Sequence, residues 1–137
     1  MTDWTETELS ALRRAYASGT TRVSYDGKSV DYGSAEDLLA RLGLLARFAV
    51  VLGGDTGAGR KPDPTPLRHV ATHMGATRAV MVGDSIHDAG AARAAGWPIL
   101  LYRHGYRDRA ADLIPADARF DDWAAMPGLL EGLAQAA

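Results

Sequence analysis

Met81-Val82-Gly83-Asp84-Ser85-Ile86-His87-Asp88 is the stretch on which the fold turns. An apolar run that ends in Gly-Asp and passes straight into a helix start places its first carboxylate at the carboxyl end of a strand, where ligands bind in open α/β sheets. Working outward, Ala79 to Val82 reads as a strand, His87 to Ala95 as a helix stopped by Gly96, and Pro98 to Tyr102 as the next strand. Upstream, Thr65 to Met74 reads as a helix stopped by Gly75, and Phe48 to Leu52 as a buried strand. Strand and helix alternating at this spacing predict βαβ crossovers and a parallel sheet. The tail, Asp121 to Ala134, reads as a helix with Trp123, Met126, Leu130 and Leu133 facing inward.

The first third has another texture. Thr5 and Glu8 form a capping box, after which Leu9, Leu12 and Tyr16 recur at helical spacing until Gly19. Val23 and Tyr25 then alternate with polar residues, Asp26-Gly27 supplies a type I′ turn, and Val30 and Tyr32 alternate on the return, a hairpin signature. In that register Val23 faces Val30 and Arg22 opposes Asp31. Ser34 can cap a second helix carrying Leu38, Leu39 and Leu42, ended by Gly43. The expected division is therefore a helix–hairpin module over residues 1–34 and a partial α/β core over 35–137.

Composition narrows the functions open to such a chain. In 137 residues, 47% are hydrophobic and 23% charged, the balance of a chain that packs a core. Fifteen basic residues against seventeen acidic give a net charge of -2, and no basic cluster forms, so nucleic acid is not an expected partner. The absence of cysteine excludes disulfides, thiolate metal sites and thiol nucleophiles and suits a reducing cytoplasm, the expected location. The longest apolar runs fall far short of a membrane span, and the acidic start does not resemble a signal peptide, so no membrane association is expected.

Two segments carry chemistry. Asp84 and Asp88 offer hard oxygens at one sheet edge, the donor type that suits Mg²⁺; equally, Asp84 can cap the following helix while Asp88 answers its dipole. Lys61 sits in Arg60-Lys61-Pro62-Asp63-Pro64 and is one of only two lysines in a chain otherwise furnished with arginine. It reads as a point charge for a phosphoryl group, or as an ordinary surface lysine ahead of a Pro-started helix. His69 and His73 have the spacing of a metal pair but no third ligand, and read as surface residues. His87 sits in the acidic loop, and His104 and Tyr106 are candidates for a crevice mouth. Trp97 and Trp123 read as core.

Taken together, Lys61-Pro62-Asp63-Pro64 and, about twenty residues on, Gly83-Asp84-Ser85 with Asp88 resemble the last two motifs of the haloacid dehalogenase superfamily of phosphatases. Lys61-Pro62-Asp63-Pro64-Thr65-Pro66-Leu67, Met81-Val82-Gly83-Asp84-Ser85, Ala91-Ala92-Arg93-Ala94-Ala95-Gly96 and Gly105-Tyr106 are similar to its phosphoglycolate phosphatase branch, over roughly residues 38–130. The resemblance implies a Rossmann-like core and Mg²⁺-dependent hydrolysis of a small phosphorylated metabolite through an aspartyl-phosphate. Asp84 would bind the metal, Asp88 would support the metal shell or orient Lys61, and Lys61, with Ser85 beside it, would hold the phosphoryl group.

The superfamily's nucleophile motif, Asp-x-Asp-Gly-Thr/Ser, has no counterpart in the sequence; Val30-Asp31-Tyr32-Gly33-Ser34 lacks the second Asp and falls in the hairpin. Asp55 belongs to a Gly-Gly-Asp stretch that relatives carry besides their nucleophile. Little or no activity is expected of the chain alone. In the superfamily's sheet order the missing strands lie between those matched by Phe48 to Leu52 and Ala79 to Val82, so either these two pair directly or open edges invite self-association or a complementing chain. The first third resembles the small gpW-type head-to-tail joining proteins of tailed phages, which implies a fused or truncated chain and keeps a non-catalytic assembly module as the alternative.

Overall fold

The computed structural model describes residues 5–17, 22–25, 27–31, 35–53, 56–105 and 109–136. By contacts the chain divides into two units, Met1–Thr56 and Gly57–Ala137. The segment grouped with the α/β core on sequence grounds, residues 35–56, thus falls in the first unit.

The first unit opens with α1 (Glu6–Ala17), whose start is the expected capping box: Thr5 Oγ1 accepts from the Glu8 amide at 3.2 Å, and the Glu8 carboxylate accepts from the Thr5 amide at 2.9 Å. A hairpin follows, β1 (Arg22–Tyr25) and β2 (Lys28–Asp31), in the expected register with Val23 opposite Val30 and Arg22 opposite Asp31. Gly27 takes the positive φ the turn needs, +72°. After α2 (Ala35–Arg41), Leu38 and Leu39 are buried, as are Ala11 and Leu12 of α1, so the two helices supply this unit's apolar centre. Asp26, Ser34 and Tyr32 lie outside the described residues, as do Asp55 and Tyr106.

Phe48 to Leu52 is not a strand. Leu45–Arg47 form one 3₁₀ turn, residues 48–53 are irregular, and Phe48 is 48% exposed. A β-prone run without a neighbouring ladder leaves its N–H and C=O groups to water, and that costs less than an unpaired buried strand. Among the described residues, the run has no strand partner.

The second unit holds a parallel three-stranded sheet in the order β3 (Met81–Gly83), β4 (Ile99–Tyr102), β5 (Ala118–Phe120). Gly83 aligns with Leu101, and Tyr102 with Phe120. Helices α3 (Thr65–Met74), α4 (Ile86–Ala95) and α5 (Met126–Ala136) complete it. The fold is α/β and Rossmann-like, as the sequence reading expected. Central β4 is an unbroken apolar run because both faces are covered: Ile99 and Leu101 join Ala89 and Ala92 of α4 with Ala111 and Ile114, while Leu100, pointing the other way, is fully buried too. The alanines of α4 let the helix lie close on the sheet. Strand β5 was not anticipated, because three residues with Arg119 in the middle give no periodic signal; Arg119 instead reaches back to the Ile114 carbonyl at 2.6 Å. Among the described residues, no helix is long and apolar enough to cross a membrane.

Candidate phosphoryl site at the carboxyl ends of the strands

Strand β3 ends at Gly83, and the chain turns into α4 through Asp84 and Ser85. Ser85 is the N-cap: its Oγ accepts from the Asp88 amide at 3.3 Å, and Asp88 Oδ2 accepts from the Ser85 amide at 3.1 Å, the Ser85 hydroxyl at 2.9 Å and the Asp84 amide at 3.0 Å. The other oxygen, Oδ1, accepts from Lys61 Nζ at 2.5 Å across 27 residues of sequence. Asp88 is thus buried with both oxygens engaged. Burial raises its carboxyl pKa, but the hydrogen bond and charge of Lys61, with the bonds from Asp84 and Ser85, outweigh it and hold the group below the usual carboxylate range. The cap is Ser85 and not Asp84, as the sequence allowed; Asp88, at the third helical position, completes the capping box and also orients the lysine.

Three glycines make this geometry. A methyl group on Gly83 would fall 2.5 Å from the Asp88 side chain, and one on Gly90 would fall 2.8 Å from the Pro62 Cβ, so α4 meets the Lys61–Pro62 segment only because that position is bare. The Lys61–Pro62 peptide is cis. Gly105 lies against Asp84 so closely that a side chain there would overlap the carboxylate. A glycine inside a strand pattern, such as Gly83, is a readable sign of close approach; Gly90 and Gly105 gave no such sign.

Asp63 lies outside this cluster. Its Oδ1 accepts from the Thr65 amide at 2.7 Å at the start of α3, and the bonds from Thr65 hold its carboxyl below the usual range. Asp31 sits in the antiparallel hairpin, and His69, His73 and His87 are exposed. His104 bonds through Nε2 to Asp121 Oδ1 at 2.9 Å. Among the described residues, no group of three or more acidic or histidine side chains could hold a metal ion. Asp84 stands beside this filled carboxylate, and one carboxylate makes a Mg²⁺ site only when phosphate oxygens and water complete it.

A parallel sheet with a lysine–aspartate pair at its carboxyl edge defines the class, and sequence comparison places it: residues 11–96 match the haloacid dehalogenase-like hydrolases, and the chain belongs to that family. Within it, the chain is 35% identical over 124 residues to the phosphoglycolate phosphatase of Rhodobacter capsulatus, covering 90% of this chain and 56% of that one. It is 45% identical over 96 residues to that of Rhodospirillum rubrum, covering 69% and 40%. It spans about half the length of these relatives. Among solved structures, a predicted phosphoglycolate phosphatase from Haemophilus somnus superposes with a TM-score of 0.64 at 28% identity, over 69% of this chain and 44% of that one. A HAD-superfamily hydrolase from Geobacter sulfurreducens gives 0.61 at 26%, over 90% and 59%. The family match takes in much of the helix–hairpin segment.

Proposed function

We propose that this chain carries the phosphoryl-holding part of a Mg²⁺-dependent phosphomonoester hydrolase of the phosphoglycolate phosphatase type. The observation that carries the reading is the Lys61–Asp88 pair beside Asp84 at the strand ends. The Lys61 side chain is 44% exposed, so an incoming phosphoryl group can reach an ammonium with three donors, of which Asp88 takes one. Asp88 fixes its direction. Ser85, whose hydroxyl is committed to Asp88, acts through the cap. Asp84 would hold Mg²⁺, which when bound adds charge neutralisation to the phosphate. Small phosphorylated metabolites are the ligand class, with 2-phosphoglycolate, named by the relatives, the first to try.

The sequence holds no Asp-x-Asp pair, and loss of a covalent nucleophile costs about 10⁴ to 10⁶ in rate in well-studied hydrolases. Hydrolysis of p-nitrophenyl phosphate with Mg²⁺ is expected near background, while inorganic phosphate with Mg²⁺ shifts NMR signals around Lys61 and Asp84. Robust turnover that disappears in Asp84→Asn overturns the expected inactivity; no response to phosphate overturns the site itself.

A second reading, an assembly module in the first unit like the phage joining proteins, rests on the helix–hairpin–helix order alone, against a hydrolase family match that begins at residue 11. Neighbouring genes for capsid and tail proteins, rather than for metabolic enzymes, would favour it.

A further inference from the structure

The chain leaving β4 bridges the ends of its two neighbouring strands. On one side, Arg103 extends the pairing with β5, its amide donating to the Phe120 carbonyl at 3.0 Å. Asp121, the residue after β5, then takes hold of both side chains of the turn: its Oδ1 bonds to His104 Nε2 at 2.9 Å, and its Oδ2 lies 3.8 Å from Arg103 Nε. Asp112 holds the same guanidinium from its other end, at 3.2 Å from Nη1. The turn stands on a platform of rings, in which Tyr102 meets His104 edge-on at 5.7 Å and packs on Phe120 at 5.2 Å and on Trp123 at 4.9 Å. Trp123 is the outer member of this platform and is 52% exposed, so the sequence expectation that it is core does not hold.

On the other side, the turn ends in Gly105, which backs onto the Asp84 side chain so closely that an added methyl would overlap the carboxylate. Gly83 aligns with Leu101, so Asp84 is level with Tyr102, and the turn cannot move towards β3 without pushing Asp84 aside. An aspartate has several staggered rotamers, and a backbone lying against it closes some of them. The Asp121 side chain is 64% exposed, and ion pairs in such surroundings add little to stability. What they decide here is where the turn sits, and with it which way Asp84 faces.

We propose that Asp121 is a positioning residue of the phosphoryl site: by tethering His104 and Arg103 it sets the place of Gly105, and Gly105 sets the direction of the Asp84 carboxylate. Asp121 acts without contact with phosphate or metal. Groups that orient a metal's ligands are commonly worth about 10- to 100-fold in metal affinity, and for an effect passed on through a backbone the lower end applies. The inference rests on the phosphoryl site proposed above, and it holds for any small phosphorylated ligand, 2-phosphoglycolate included.

The test needs no turnover. Binding of inorganic phosphate to the whole chain is measured by calorimetry, first without metal and then as Mg²⁺ is titrated in, for the wild type, Asp121→Ala, Asp121→Asn and Gly105→Ala. Asp121→Ala is expected to raise the Mg²⁺ concentration at half-effect about 10-fold, while the metal-free phosphate affinity, set by Lys61, stays that of the wild type. Asp121→Asn keeps an oxygen for His104 and should retain most of the wild-type response, and Gly105→Ala, which displaces Asp84 directly, should lose at least as much as Asp121→Ala. An unchanged Mg²⁺ midpoint in Asp121→Ala overturns the tether and leaves the phosphoryl site standing. So does an equal fall with and without Mg²⁺, which is the mark of a general loosening, and so does a loss in Asp121→Asn as large as in Asp121→Ala. If the wild type binds no phosphate, or binds it with no response to Mg²⁺, the reading of the site fails and the tether with it. His104→Ala removes the same bond from its other end and decides the matter if Asp121→Ala does not fold.

Discussion

Asp88 concentrates the chemistry of the site in one carboxylate, so its removal has separable effects. Asp88→Ala takes away the reciprocal half of the capping box and leaves the Asp84 and Ser85 amides without this acceptor; urea unfolding is expected to show a loss of about 2–3 kcal/mol. Ser85→Ala removes the hydroxyl alone and should cost about 1 kcal/mol while leaving phosphate affinity unchanged, whereas a serine in direct contact with phosphate would lose affinity. Because the folded Asp88 ionises below its ordinary value of 3.8, the stability it adds is complete above that pH and disappears as pH falls through the lower folded value. The melting temperatures of the wild type and Asp88→Asn should accordingly converge as pH falls below about 3.8; a constant gap would show that the ionised carboxylate is not the stabilising form. The lysine and both aspartates were legible as a set from their order and types. Whether Asp88 supports a metal shell or orients the lysine was left open, because Ser-x-x-Asp is both a capping signal and a site motif; the structure puts it on the lysine.

The elements were legible where the pattern was local. The capping box of α1, the hairpin register, the Gly75 and Gly96 helix stops and the apolar β4 all follow from short-range rules. Phe48 to Leu52 shows where such rules end: the run has strand chemistry, but a strand is completed by a neighbour, and none lies beside it among the described residues. The placement of α4 turns on Gly90. Alanine there would gain roughly 1 kcal/mol of helix propensity, but its methyl would meet Pro62, and overpacking costs about 1–3 kcal/mol. Gly90→Ala is thus expected to be neutral to modestly destabilising in thermal unfolding, and to weaken phosphate binding by pushing Lys61 off Asp88. Unchanged affinity would show that the approach of α4 to Pro62 is not what aims the lysine.

For the molecule as a whole, the sheet presents β3 at its margin, with no further strand paired to it among the described residues. A strand edge of this kind is a template for another chain. We propose that the protein self-associates, or takes up a complementing chain, through it. Sedimentation should show the average mass rising with concentration, and a monomer at every concentration tested would count against the idea. The α/β class and the parallel order could be read from the alternation of strand and helix; the division of the chain after Thr56 could not, since it depends on which helices pack together.

The cap that holds Asp88 has one more effect. Three donors besides the lysine secure that carboxylate, so it holds the ammonium in place from a fixed position at the helix start. The acid works as a parking berth: it keeps the lysine aimed between visits, with two of its donors still turned to any guest. A dianion with several oxygens can take both of those donors at once.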